Sequence, residues 1–131
     1  MSENLLENIK QYHQLMNEEK GKEANDLVSD DFFAVFCLGD DQSYETYQAE
    51  AYRAGNLEAL EYYKGKRPRW DYHYLSTAQR SEYEVIVSSE IDFYLDSVFK
   101  MKALCMEIYR NEQGTWKLLR QYMEKFNHAL K

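Results

Sequence analysis

Three adjoining stretches near the end of the chain decide its fold: KALCMEIYR (Lys102–Arg110), NEQG (Asn111–Gly114) and WKLLRQYMEKF (Trp116–Phe126). The first and third alternate apolar and polar side chains, the two-residue period of a strand. The second is a short polar turn ending in glycine, of hairpin length. Together they predict the longest strands of a curved antiparallel sheet. Upstream, Tyr83 to Tyr94 sets Tyr83, Val85, Val87, Ser89, Ile91 and Phe93 against Glu82, Glu84, Glu90 and Asp92, so one face of that strand is wet. Arg69 to Ser76 alternates Trp70, Tyr72 and Tyr74 with Asp71, His73 and Leu75, giving each face its own chemistry. The last strand is apolar on both faces, with Trp116, Leu118 and Tyr122 on one and Leu119, Gln121 and Met123 on the other. Such a strand needs two covers. A helical layer is one; a second subunit on the outer face is the other, which predicts a homodimer.

The residues before the sheet carry helical spacing. Leu5, Ile9, Tyr12 and Met16 recur at i, i+4, i+7 and i+11 behind a cap at Ser2 or Asn4. Gly21 breaks this helix, Ala24, Leu27 and Val28 make a short second one, and Ser29-Asp30-Asp31 ends the helical part. Phe32 to Leu38 is aromatic, branched and short, hence a strand leading into Gly39-Asp40-Asp41. Gln42 to Ala54 allows two readings, a helix starting after Ser43 or a short strand and turn around Tyr52 to Gly55. Leu57, Leu60, Tyr62 and Tyr63 then form a helix that stops at Gly65, with Pro68 just beyond.

Composition bounds the class. A chain of 131 residues, 44% hydrophobic and 30% charged, suits one globular domain that buries about two thirds of its unfolded surface. Its net charge of −7 makes nucleic acid and anionic membrane poor partners. The local basic cluster of Lys64, Lys66, Arg67 and Arg69 around Pro68 reads as a solvated loop. No apolar run reaches membrane-spanning length and Met1 to Lys10 has no signal-peptide core, so a cytoplasmic protein is expected. Cys37 and Cys105 stand alone, without metal-site spacing, as reduced core thiols.

The order of elements resembles the SnoaL-like polyketide cyclase and ketosteroid isomerase group, the cone-shaped α+β fold named after nuclear transport factor 2. Three patterns carry the resemblance: Tyr12 with Asp30-Asp31, Gly55-x-x-x-Ala59-Leu60-x-Tyr62-Tyr63, and Ile108-Tyr109-Arg110-Asn111-x-x-Gly114-x-Trp116. It implies a single SnoaL-like domain over residues 1–131, with a deep pocket between curved sheet and helices and a dimer through the convex face. For the isomerases it implies a phenol on the first helix, where Tyr12 falls, a base on the first strand and an acid on the penultimate one. Phe36 and Met106 occupy the last two positions and cannot move a proton. The scytalone dehydratase pattern is similar at His73, and the family's second histidine has no counterpart, since His13 lies on a helix and His128 in the tail.

These expectations define a candidate site. Tyr12, Asp71 and His73 are the candidate acid/base residues, with Asp71 on the face of His73 to orient its ring. Tyr12 and His73 also allow plain packing roles. Met16, Phe36, Val85, Val87, Met106, Leu119, Gln121 and Met123 complete an apolar wall suited to a small apolar or aromatic molecule. The segment Gly39 to Ala54 is placed over the pocket mouth. Glu107 and Glu124 could serve as acid/base carboxylates, and their place on strands assigns them first to a solvated or interface face. Trp70, Tyr72, Tyr74, Trp116, Leu118, Arg120 and Tyr122 form the predicted dimer surface. No metal or organic cofactor is implied, and the function divides between a small-molecule binder with acid/base chemistry (dehydratase, cyclase or isomerase type) and a non-catalytic interaction or assembly module.

Overall fold

The computed structural model describes residues 3–39 and 43–126. The Ser2 cap, the Asp40–Gln42 part of the first loop and His128 lie outside them. The elements run α1 (Glu3–Asn17), α2 (Gly21–Asn25), β1 (Val28–Cys37), β2 (Glu45–Gln48), α3 (Ala49–Tyr62), β3 (Arg69–Ser81), β4 (Glu84–Leu95), β5 (Val98–Glu112) and β6 (Thr115–Lys125). The six strands make one curved sheet in the order β2-β1-β6-β5-β4-β3, with the helices on its inner face. This is an α+β architecture. One pairing departs from the antiparallel expectation: β1 runs parallel to β6, from Val28 opposite Leu118 to Cys37 opposite Glu124.

The two long hairpins turn on pairs of residues with positive φ. Asp96 and Ser97 (49° and 67°) join β4 to β5, and Gln113 and Gly114 (56° and 92°) join β5 to β6. Two-residue turns of this hand match the twist of the strands they connect. The Gly114 amide also donates to Asn111 Oδ1 at 2.8 Å, which closes the second turn.

Inner and outer faces follow from register and burial. On β5, Ala103, Cys105, Glu107 and Tyr109 are buried, while Met106 is 40% exposed and therefore belongs to the outer face, not to the pocket. On β3 the aromatic residues go inward. Trp70 pairs with Phe93, Tyr72 with Ile91 and Tyr74 with Ser89, all inner-face positions of β4. The more apolar face of β3 is the one covered by α1, which leaves Asp71 and His73 outside. On β6 the simple alternation fails at a bulge. Tyr109 faces Leu118 and Ile108 faces Arg120, so Leu119 is an extra residue and the parity changes there. Leu118 thus joins the core with Val28 and Tyr109, and Trp116 packs against it. Of the predicted dimer surface, only Arg120 and Tyr122 stay outside.

The helices close the inner side. Ile9, Tyr12 and Met16 of the predicted stripe are buried. α1 stops at Asn17, before Gly21, and Glu19 closes its end: the Glu19 φ is 60°, its amide donates to the Met16 carbonyl at 3.0 Å, and the Lys20 amide donates to the Leu15 carbonyl at 2.8 Å. That is a Schellman closure with glutamate in the left-handed position. Gly21 instead opens α2 where an added Cβ would lie 2.8 Å from Leu57 Cδ2 and 2.9 Å from Leu60 Cδ1. Val28, expected at the end of the second helix, starts β1. Of the two readings of Gln42 to Ala54, the helix is present but starts at Ala49 and runs through Gly55 without a break, so Tyr52 to Gly55 is not a strand and turn; neither reading contained β2, which pairs with β1.

Two substitutions at left-handed positions are expected to act in opposite directions. Glu19→Gly should raise stability by about 0.5–1 kcal/mol, because glycine meets the conformation without the Cβ penalty. Gly114→Ala should cost about 1 kcal/mol. Urea midpoints of the two variants against the parent check both signs.

Candidate functional site

Behind α1 lies a buried polar cluster. His13 and Glu107 are 4% and 0% exposed, and His13 Nε2 sits 3.0 Å from Glu107 Oε1. Tyr109 donates its hydroxyl to the same oxygen at 3.0 Å, and Gln121 Nε2 donates to Oε2 at 2.7 Å. The other ring nitrogen of His13 meets the Tyr74 hydroxyl at 2.8 Å, and the ring stacks on Tyr72 with centroids 3.4 Å apart. Burial alone would raise the Glu107 pKa, but the His13 charge and the hydrogen bonds from His13, Gln121 and Tyr109 outweigh it, and the carboxyl lies below the usual range. Full satisfaction is what allows a carboxylate to sit at this depth.

Beside this cluster, between α3 and the sheet, is a cavity of about 560 Å³. Its apolar wall includes Met16, Phe36, Trp70, Ile91, Phe93 and Met123. Its polar points include Tyr12, Tyr47, Tyr52, Asn56, Tyr63, Tyr72 and Gln121, with Glu58 as the single carboxylate and no His, Lys or Arg among the described lining residues. Tyr12 and Tyr52 share a hydroxyl–hydroxyl bond of 2.7 Å, and Asn56 Nδ2 donates to Tyr12 at 3.2 Å. Asn56 also donates to Asn25 Oδ1 at 2.9 Å, and Asn25 to the Arg53 carbonyl at 3.0 Å, which ties α2 to α3. Burial pushes the Tyr12, Tyr52 and Tyr72 phenols well above their ordinary range, so they serve as hydroxyl donors and not as bases.

The structure brings together Tyr12, Met16, Phe36, Gln121 and Met123 of the predicted site, all on the cavity wall. Val85 and Val87 are inner-face residues packed in the core instead. Leu119 is the bulge residue of β6, and Met106 faces out. His73 and Asp71 are corrected most. His73 is 57% exposed on the outer face with Nε2 3.1 Å from Asp92, and Asp71 pairs with Arg69 at 3.5 Å, so neither approaches Tyr12. Asp92 is held below its usual range, first by the Lys102 hydrogen bond and then by the Lys102 charge and His73, against the opposing effect of burial. The segment placed over the mouth supplies wall residues instead, Tyr47, Ala51, Tyr52 and Ala54.

His13, Tyr52, Asn56 and the inward Glu107 were missed. Glu107 had one usable signal: it shares strand parity with Ala103, Cys105 and Tyr109. Its partner lies 94 residues away and leaves no local mark.

No protein-family model matches the chain, and no curated protein matches it by sequence. Solved structures do. An NTF2-like protein of unknown function from Pseudomonas putida KT2440 superposes with a TM-score of 0.75 at 12% identity, over 97% of this chain and 88% of that one. The chain has the NTF2-like fold. Aln2 from a Streptomyces species is similar at a TM-score of 0.73 and 15% identity, covering 95% and 93% of the two chains. A protein assigned as a calcium/calmodulin-dependent protein kinase type II association domain, from Thiobacillus denitrificans, gives 0.71 and 11% over 92% and 93%. Fold is what these likenesses share, and the NTF2-like fold hosts more than one function.

Replacing His13 by Leu should cost about 3–5 kcal/mol, because it strands a buried carboxylate, and adding Glu107→Leu should recover part of the loss. Denaturant unfolding of the single and double variants measures both. Acid is expected to act through the same pair. With its folded pKa below the unfolded value of about 4.3, Glu107 contributes stability above that value, and this is lost as pH falls through the folded one. Glu107→Gln should therefore flatten the acid limb of a stability–pH curve.

Proposed function

We propose that the protein binds a small, uncharged, mostly apolar molecule, aromatic rings included, in the cavity between α3 and the sheet. The observation that carries this reading is the open 560 Å³ space whose apolar wall is broken by a few convergent polar groups, the usual make-up of a small-molecule site. SnoaL-like binding is the nearest expectation from the fold. Acid/base turnover by Tyr12, Asp71 and His73 is not part of the proposal, because the last two lie on the far side of the sheet. The buried pair His13–Glu107 does not line the cavity, and both of its carboxylate oxygens are engaged within the protein. Among the described residues no helix is long and apolar enough to cross a membrane. The free thiols of Cys37 and Cys105 suit a reducing, cytoplasmic setting.

Nile red, an apolar dye without a hydrogen-bond donor, tests the reading. Saturable, blue-shifted fluorescence is expected with the parent, and Ala59→Phe, which fills the cavity from α3, should weaken it by about ten-fold or more. A folded parent that gives no saturable signal would count against a binding cavity.

A second reading concerns assembly and rests on the outer face. Two rungs cross four strands there: Phe33–Arg120–Ile108–Ile86 and Val35–Tyr122–Met106–Ser88. Phe33 and Met106 are 38% and 40% exposed. Apolar and aromatic side chains around an arginine are typical of subunit contacts. We propose a homodimer through this face, with Arg120 and Tyr122 retained from the expected surface and the inward-facing residues replaced by these. Met106→Glu should then yield a monomer by light scattering at micromolar protein. A parent that is already monomeric would sink the dimer.

A further inference from the structure

We infer that the cavity selects an uncharged molecule whose polar end carries both a hydrogen-bond acceptor and an O–H or N–H donor, and that the Gln121 carbonyl reads the donor. This rests on the binding reading above and narrows its ligand class.

The Gln121 side chain is 3% exposed and forms part of the cavity wall. Its amide nitrogen is committed to Glu107 Oε2 at 2.7 Å. Its carbonyl oxygen is buried with no hydrogen-bond partner among the described residues. An amide usually relieves such a mismatch by flipping. Here a flip would give up a hydrogen bond to a carboxylate and set two acceptors face to face. Glu107 cannot turn away either, because His13 and Tyr109 hold its other oxygen. The amide is therefore locked with its acceptor unfilled. The oxygen itself is closed to water, so a ligand donor that fills it must press in against the Gln121 side chain at the wall.

Proton counting gives the second half of the class. The Tyr12 and Tyr52 hydroxyls hold two protons, and their mutual bond uses one. If Tyr12 donates to Tyr52, the Tyr52 proton is left; if Tyr52 donates, Tyr12 accepts from both Tyr52 and Asn56 and its own proton is left. Either arrangement leaves one phenol proton without an acceptor among the described residues, on a residue of the cavity wall. It suits a carbonyl, ether or hydroxyl oxygen. Charge is excluded by the same lining. An anion would lose its hydration with no Lys, Arg or His to meet it, and a cation would find only Glu58, an exposed carboxylate whose water it would have to displace, because the buried Glu107 is off the wall and already bonded. Phenols, alcohols, enols and amides on an apolar body fit this description; carboxylates and bare ethers do not.

The test compares 2-naphthol, 2-methoxynaphthalene and 2-naphthoate by titration calorimetry and by displacement of Nile red at neutral pH. 2-Naphthol is expected to bind at least about ten-fold more tightly than its methyl ether, which keeps the ring and the acceptor but lacks the donor, and than the carboxylate. In Gln121→Met the naphthol-to-ether ratio should fall close to one. In Glu107→Gln, where the Gln121 amide is free to flip, the ratio should fall as well with Gln121 still present. The parent series alone already decides the ligand class if a variant fails to fold. Equal affinity for naphthol and ether in a parent that binds Nile red overturns the inference and leaves the binding reading intact. No binding of Nile red or of any naphthalene overturns both. A parent preference that survives Gln121→Met removes Gln121 as the reader.

Discussion

The contact between His13 and Glu107 constrains more of this molecule than any other. A buried carboxylate bonded to an imidazole is tolerated only when the lone pairs and protons of both are met, and here that requirement reaches into four elements. α1 supplies the imidazole, β3 the Tyr74 hydroxyl and the stacked Tyr72 ring, β5 the carboxylate and Tyr109, and β6 the Gln121 amide. Sliding α1 by a turn, or β6 by one residue, would strand at least one of these groups away from water. The pair therefore sets the register of helix against sheet more sharply than apolar packing could, since apolar contacts are non-directional.

The same constraint divides the interior in two. On the α1 side the space is filled by the pair and its partners. On the α3 side the helix is held off the sheet by its own polar ties, Asn56 to Asn25 and to Tyr12, and Arg53 Nη2 to the Val28 carbonyl at 2.6 Å. α3 is thus anchored to α2 and β1 along one edge, and the cavity lies under it. Gln121 belongs to both halves. Its nitrogen completes the charged cluster and its side chain forms part of the cavity wall, so the electrostatics of the core decide which amide atom is left for a ligand.

The long strands were legible in the sequence; the short β2, and the facing of β3 and of part of β5 and β6, were not. Alternation around Asn111-Glu112-Gln113-Gly114 located β5 and β6, and the inner set of β4 from Val85 to Phe93 was read correctly, because one wet face there settles the parity. On β3 both faces were plausible: aromatic rings suit an interface as well as a core, and a histidine beside an aspartate suits a site. Only the distant fact that α1 covers this strand decides between them. The bulge at Leu119 has no local sign either, and it moved Leu118 from the outer face to the core. The pocket residues that survived, Tyr12, Met16, Phe36, Gln121 and Met123, come from a helix stripe and from strands whose facing was read correctly. Where parity was misread, as at Met106, the error ran through a neighbour: Glu107 was sent outside by the step that put Met106 inside.

That exchange bears on function. In a fold where a carboxylate on the penultimate strand can be an acid or a base, a glutamate found inward invites the same role. Depth and partners decide otherwise. A proton-transfer group needs a lone pair or a proton facing the substrate space, and Glu107 does not line the cavity, both of its oxygens accepting hydrogen bonds from His13, Tyr109 and Gln121. The phenols that do face the cavity are held protonated by burial. What remains on the cavity wall is a set of neutral phenols and amides among aromatic and apolar side chains, which is the chemistry of recognition. The Glu107 carboxylate is engaged in holding the core together, and its effect on the cavity passes through the orientation of one amide.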